Sequence, residues 1–387
     1  MKAQSLAPAD SRGFRFTRVV GIGGIGTGVI FKFSDNHTVG RNESRLAELT
    51  SERDYCKLHI VLQNLSSLFG GPENDSIRLC AVGRVGDDRA GTELLEDMRS
   101  NGISVDHVMV SPDAPTLFSV TFQYPDGSAG NITSSNSACS LVTGDEIGGL
   151  LSTGSADGGD TIAIAVPEVP LAARSRFLAQ AKAAGALTIA SFASAEAGDF
   201  VEQGMPELTD ILILNRDEAL TLCQRSSASA SASAAEHPFD PGVFQQAFDR
   251  LKQRRKSAVV VVTDGPAGCF LYKDDSVNHV AGLRAPVVTT AGAGDAFTAG
   301  VAAGLCCGLP LVADRPRRAR TENPGFASCL DLAVSMGAFA VSSPGAINRE
   351  LDPAALFEFV RMHDKGQGNV EAAGLASAVV KRHGGKQ

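Results

Sequence analysis

Runs of apolar, β-prone residues recur along this chain at 18–22, 78–82, 161–166, 186–190, 210–214 and 257–262, separated by Ala- and Leu-rich stretches with helical spacing. Short continuous apolar runs suit strands buried on both faces, and their alternation with helices predicts a largely parallel sheet covered on both sides. Segment 171–184, closed by Gly185, reads as a helix between two such strands, and so as one βαβ unit. A different texture spans 116–133, where Leu117-Phe118-Ser119-Val120-Thr121-Phe122-Gln123-Tyr124 precedes Pro125-Asp126-Gly127. This predicts antiparallel strands about a tight turn, either an edge decoration or a lid over a site.

With 387 residues, the chain has room for two average domains or one large α/β domain with insertions. Its formal charge of −8 leaves no basic stripe to displace counterions from phosphate backbones, which argues against nucleic-acid partners. The basic runs Arg254-Arg255-Lys256 and Arg315, Arg317, Arg318, Arg320 read as solvated faces. Eight cysteines show no CxxC or metal spacing and read as small buried hydrophobes in a reducing compartment. The start carries no signal-type apolar stretch and no run is long enough to span a bilayer, so a soluble cytoplasmic protein without membrane contacts is expected. Residues 1–13 are expected to be disordered, 14–365 to form the α/β domain, 226–241 and 310–326 to be surface insertions, and 366–387 to be a C-terminal tail.

The chemistry concentrates at Thr289-Thr290-Ala291-Gly292-Ala293-Gly294-Asp295-Ala296-Phe297, a glycine turn that runs into an Ala-rich helix. Glycines let backbone approach a ligand, and the first N–H groups of a helix point at whatever precedes it, so phosphate is the natural occupant. Asp295 falls beside that anion site, placed to take a proton from an attacking hydroxyl, or else simply to suit the positive helix end. Asn215 and Glu218 sit where a buried strand ends and a helix begins: they form a capping box, or order water around magnesium on nucleotide phosphates. Thr263, Gly265 and Gly268 follow another strand, as a hairpin turn or as a nucleotide loop. Asp87 and Asp88 precede a helix that one of them is expected to cap. Gly21-Ile22-Gly23-Gly24-Ile25-Gly26 matches a dinucleotide fingerprint, with Glu43 near the ribose-binding distance. The residues after it are β-prone instead of helical, so these glycines read as close backbone passage under a substrate.

In this order, VGDDxxG at 85–91, NxxE at Asn215 to Glu218, TxGxxG at Thr263 to Gly268 and TxGAGDAF at Thr290 to Phe297, the chain resembles the PfkB/ribokinase family of small-molecule kinases. The resemblance spans about 19–346 and implies a ribokinase-like α/β fold: a central, mostly parallel sheet flanked by helices on both faces, with a small β lid around 29–40 and 113–136 that often dimerises. It implies an ATP-dependent phosphotransferase acting on an alcohol group of a sugar or sugar-like acceptor. Asp295 would be the base, with Gly292, Ala293 and Gly294 as anion hole. Asn215 and Glu218 would hold Mg2+ through water, Thr263, Gly265, Gly268 and Thr290 would line the ATP site, and 332–346 would border adenine.

Departures gather at the acceptor end. Family members carry an acid shortly after the first strand, yet 23–28 has none, and the usual GGxxxN helix start is replaced by Asp54-Tyr55-Cys56-Lys57-Leu58-His59-Ile60-Val61-Leu62-Gln63. Losing such a carboxylate costs about 2–5 kcal/mol of discrimination. Gly24, Gly26, Gly28, Lys57 and Gln63 are therefore the candidate acceptor residues, with His59 as a further possibility or a packed helix residue. Thr289 replaces the acid that often begins the GAGD motif, so any monovalent-cation effect is expected to be weak. The competing readings are a catalytically silent nucleotide or sugar sensor of the same fold, and an NAD-dependent oxidoreductase.

Overall fold

The first apolar run forms β1 (Arg18–Ile22) at the centre of the computed structural model, which describes residues 5–144, 147, 158–224, 240–254, 258–313 and 326–363. β2 (Gly26–Lys32) and β3 (Glu48–Tyr55) come next, then α1 (Lys57–Leu68), β4 (Arg78–Gly86), α2 (Arg89–Ser100) and β5 (Ile103–Ser111). The Asp88 carboxylate accepts the Gly91 N–H at 2.8 Å and so caps α2. After β5 stand β6 (Leu117–Gln123), β7 (Ala129–Thr133), β8 (Thr161–Ala165), α3 (Leu171–Ala183) and β9 (Leu187–Ala190). The chain continues through α4 (Ala197–Glu202), α5 (Met205–Leu208), β10 (Ile211–Asn215), α6 (Arg216–Gln224) and α7 (Pro241–Arg254). It closes with β11 (Val259–Thr263), β12 (Gly268–Lys273), β13 (Ser276–Ala281), α8 (Ala293–Cys306), α9 (Cys329–Ala340) and α10 (Pro353–His363).

Nine strands make one sheet in the order β13-β12-β11-β10-β9-β8-β1-β4-β5, parallel from β11 to β5 and antiparallel at β11–β12–β13. Each of the six apolar runs supplies a parallel strand. β8 is buried at every position, as a strand covered on both faces must be. One core joins the sheet to α1, α2, α8, α9 and α10 through residues such as Leu58, Leu94, Phe297 and Leu330; the other joins it to α3–α7 through Phe177, Phe200, Leu222 and Phe244. The chain leaves β1 toward β4 on one side and returns to β8 on the other, which places the topological switch between β1 and β8. Ligands of open α/β sheets bind outside the strand ends at such a point.

A second sheet, β3-β2-β6-β7, carries the expected hairpin β6–β7. Its edge strand β3 lies in a stretch too polar to read as a strand. It is exposed along most of its length, and its pairing to β2 is a backbone matter. Residues 33–40, expected in the lid, form no strand. The glycine fingerprint opens into β2, not into a helix, so the dinucleotide-binding geometry behind the oxidoreductase reading is missing. Residues 5–13 also depart from the expected disorder: Leu6 packs on the core, and the Leu6 and Ala9 N–H groups donate to Leu68 O at 2.9 Å and Cys307 O at 2.7 Å. The expected insertions 226–241 and 310–326 lie almost entirely, and the tail 366–387 wholly, outside the described residues.

Candidate active site

At the switch point the loops after β1 and β8 abut. Gly24 donates its N–H to Pro167 O and accepts from the Leu58 N–H, both at 3.1 Å. A Cβ at Gly24 would run into the Glu168 carboxylate and lie 2.6 Å from Glu168 Cβ. Glu168 has φ of +79°, a left-handed conformation unusual for a side chain of its kind, and such strain concentrates at functional sites. Its Oε2 accepts the Lys57 N–H at 2.9 Å, so the first turn of α1 is docked onto this carboxylate.

Five charged side chains meet here. Lys57, Glu168, Glu218 and Asp295 are half-buried and Asp54 is buried. The Asp295 carboxylate, more than any other group, holds the Lys57 ammonium in its charged form, with Glu168 and Glu218 adding to it against burial. Burial pushes the Asp295 carboxyl up, Lys57 pulls it back and Asp54 adds to the rise. Burial likewise raises Glu168 to about 7 and Glu218 to about 7, Lys57 opposing in both cases. The couplings link Lys57 to Asp295, Glu168 and Glu218, and Asp54 to Glu168 and Asp295, as in a cluster of low dielectric.

The anion turn forms as its glycines require. Gly292 has φ of +76° before α8, and a Cβ there would strike the Ala346 carbonyl, while one at Gly294 would meet open space. The Ala293 N–H turns toward Thr290 O at 3.4 Å, which leaves Gly294 and Asp295 as the better-placed donors of that turn. The Thr289 hydroxyl accepts the Ala291 N–H at 3.1 Å. Thr290 is exposed and its N–H donates to Gly127 O at 3.1 Å, tying the turn of the β6–β7 hairpin to the GAGD turn.

Along the sheet edge, Asn215 at the end of β10 pairs in register with Thr263 at the end of β11. Asn215 and Glu218 do form a reciprocal capping box: the Asn215 N–H donates to Glu218 Oε2 at 2.8 Å and the Glu218 N–H to Asn215 Oδ1 at 2.9 Å. Gly265, with φ of +50°, faces open space. At Gly268 a side chain would collide with the Val280 carbonyl of β13, so this glycine serves the antiparallel pairing of β12 and β13.

Some sequence-selected residues do not converge on the cleft. A Cβ on Gly26 would lie 2.5 Å from Leu117 O and 2.6 Å from Cys56 Sγ, and one on Gly28 would meet the Ser119 carbonyl. Both glycines allow β2 to press against β6, which by itself accounts for them without a substrate. Gln63 is buried, about 9 Å along α1 from Lys57 by helical rise, and its Oε1 has no partner among the described residues. His59 is fully buried with its Nε2 3.3 Å from Asp97 Oδ2 and its ring 4.6 Å from that of Tyr55, as a packed helix residue. Conversely, the motifs single out neither Glu168 nor Asp54. Glu168 comes after β8 at the same sheet edge that marks Asn215, so position alone is a signal for it. Nothing marks Asp54 until β3 pairs with β2.

A model of the "pfkB family carbohydrate kinase" matches residues 64–353. Among curated proteins, the chain is 33% identical over 141 residues to "Probable fructokinase-6, chloroplastic" of Arabidopsis thaliana, a stretch covering 36% of this chain and 31% of that one. It is 51% identical over 59 residues to "Inositol 3-kinase" of Zea mays, 15% of this chain and 16% of that one. The chain thus spans a third or less of the length of these relatives. Among solved structures, a putative ribokinase II from E. coli superposes with TM-score 0.65 at 18% identity, covering 90% of this chain and 100% of that one. A Burkholderia thailandensis nucleoside kinase in complex with inosine superposes with TM-score 0.63 at 19% identity, covering 88% and 97%. The fold is therefore ribokinase-like, and the family match spans most of the chain, with Glu168, Glu218 and the GAGD turn inside it: the protein belongs to the pfkB family of carbohydrate kinases.

Proposed function

We propose that the chain transfers the γ-phosphoryl group of ATP to a hydroxyl of a sugar or sugar-like acceptor. The observation that carries this reading is the juxtaposition of Asp295, in the first turn of α8 beside the Gly292–Gly294 turn, with Lys57 and Glu168 in one cleft. Asp295 accepts the acceptor's hydroxyl proton; that oxygen bonds to the γ-phosphorus as the bond to the bridging oxygen breaks, and ADP leaves. A carboxylate raised by burial is a stronger base than one in water, and a base so placed contributes about 10²–10⁴ in rate. The N–H groups of Gly294 and Asp295, at the positive end of α8, take the charge of the moving phosphoryl, while Lys57 keeps Asp295 ionised.

Asn215 and Glu218 fit a water-mediated magnesium site: the capping box occupies Glu218 Oε2, and Oε1 has no bond to a described residue. Among the described residues no three His, Cys, Asp or Glu side chains are grouped to ligate a metal directly. Bound magnesium would neutralise charge on the nucleotide phosphates. Thr263, in register with Asn215, and Gly265 in the turn that follows line the nucleotide side, with 332–346 at the adenine. No carboxylate stands at Thr289, so activity should respond little to potassium. No helix among the described residues is long and apolar enough to cross a membrane.

The test is ADP release by the purified chain with ATP, magnesium and a panel of sugars, polyols and nucleosides. Turnover with at least one acceptor is expected. Nucleotide binding without turnover on any acceptor would instead give the catalytically silent sensor.

A further inference from the structure

Resting on that reading of the cleft, we propose that Asp54 is a specificity-determining residue, accepting a hydrogen bond from an acceptor hydroxyl, and that the acceptor is an uncharged polyol or sugar instead of a phosphorylated or carboxylated one. β3 is exposed along most of its length, yet Asp54 near its end is 3% exposed. A buried carboxylate persists only when partnered. The Ser119 and Thr121 hydroxyls both donate to one of its oxygens, Oδ2, at 2.7 and 2.8 Å. A carboxylate offers about four acceptor sites, and Asp54 Oδ1 takes no hydrogen bond from the described residues.

The direction of those bonds is set. Asn131 Nδ2 donates to Thr121 Oγ1 at 2.8 Å, so the Thr121 proton is left for Asp54, and Asn131 Oδ1 in turn accepts from the Thr133 hydroxyl at 2.5 Å. Ser119, Thr121 and Gln123 alternate along β6 on the buried face of the small sheet. That face is drawn over the GAGD side of the cleft by the Gly127–Thr290 bond and by Gln123 Nε2 donating to Pro344 O at 3.2 Å. Asp54 thus belongs to the lid sheet, is held on a hydrogen-bonded polar frame, and lies near enough to the Asp295 carboxyl to add to its rise.

Charge decides what this frame accepts. Asp54 adds its negative charge to those of Glu168 and Asp295, while the one ammonium of the cleft, Lys57, is held foremost by Asp295. The neighbouring Arg53 turns away: it donates to Thr27 Oγ1 at 2.6 Å and lies 3.5 Å from Glu93. An acceptor bearing phosphate or carboxylate would meet at least two carboxylates in a low-dielectric space, whereas hydroxyl groups find acceptors there.

The test compares fructose with fructose 6-phosphate, myo-inositol with its monophosphate, and sorbitol with gluconate, by initial rates and by calorimetric binding to the full chain. The wild type should favour the neutral member of each discriminated pair at least tenfold. Asp54→Asn should raise the neutral acceptor's KM about 10- to 100-fold, leave the ATP KM within about twofold, and shrink the neutral-to-anionic preference about tenfold. Thr121→Val, which removes one donor and spares the carboxylate, should raise the same KM a few-fold and serves if Asp54→Asn does not fold. Calorimetry separates the two readings: neutral acceptors that bind the wild type and not Asp54→Asn uphold the assignment even without turnover. A preference for the phosphorylated or carboxylated member, or a folded Asp54→Asn with unchanged acceptor affinity, overturns it.

Discussion

A single carboxylate in the first turn of α8 does the chemistry proposed for this chain, and its neighbours decide its state. Asp295→Asn keeps the shape and loses the base, so turnover should fall by about 10²–10⁴ while calorimetric nucleotide affinity stays within a few-fold. A variant with the wild-type rate would remove Asp295 from that role. Glu168 carries a pH signature. Burial raises it to about 7 from an ordinary value of 4.5, so between these values the folded chain binds more protons than the unfolded one. Stability of the ligand-free protein should then fall as pH rises through that window, by on the order of 1–2 kcal/mol after discounting for solvent. Urea titrations at pH 5 and pH 7.5 check this; Glu168→Gln should reduce the difference by its own share and leave that of Glu218 and Asp295. The reacting turn and NxxE are legible because their spacing is chemical. Gly26, Gly28 and Gly268 are ambiguous because a glycine looks the same in sequence whether a ligand or a neighbouring strand takes the space of its missing side chain.

Elements are most legible where burial is two-sided. Six of the seven parallel strands announce themselves as apolar runs, since both of their faces meet helices, whereas the edge strand β5 does not. β3 escapes the pattern because an edge strand of a lid has little to bury, and with it go Asp54 and the second sheet's full extent. The start of α8 shows how tightly an element can depend on one position. Gly292→Ala places a methyl group against the Ala346 carbonyl at φ of +76°. It should cost about 2 kcal/mol or more and lower the melting temperature by several degrees, measured by calorimetry, with phosphoryl transfer impaired as well. A variant as stable as the wild type would mean that the turn before α8 can relax.

For the whole molecule, the lid joins two functions. Its buried face is polar and covers the cleft, while Phe118, Ile132 and Leu49 on the small sheet are 44%, 66% and 58% exposed. Such apolar exposure is characteristic of association surfaces. A homodimer through these lids is expected, and light scattering should give twice the chain mass for the wild type and the single mass for Ile132→Lys; a monomeric wild type would dismiss it.

The parallel sheet, the helices and the lid matter for this reaction only if they bring a hydroxyl, a phosphoryl group and Asp295 together. The most direct measurement is therefore ADP formation by the purified chain with ATP and magnesium across neutral sugars, polyols and nucleosides, run beside Asp295→Asn. Acceptor-dependent ADP release that disappears in the variant is the predicted result. Release that is independent of acceptor, or equal in the two proteins, would contradict the account.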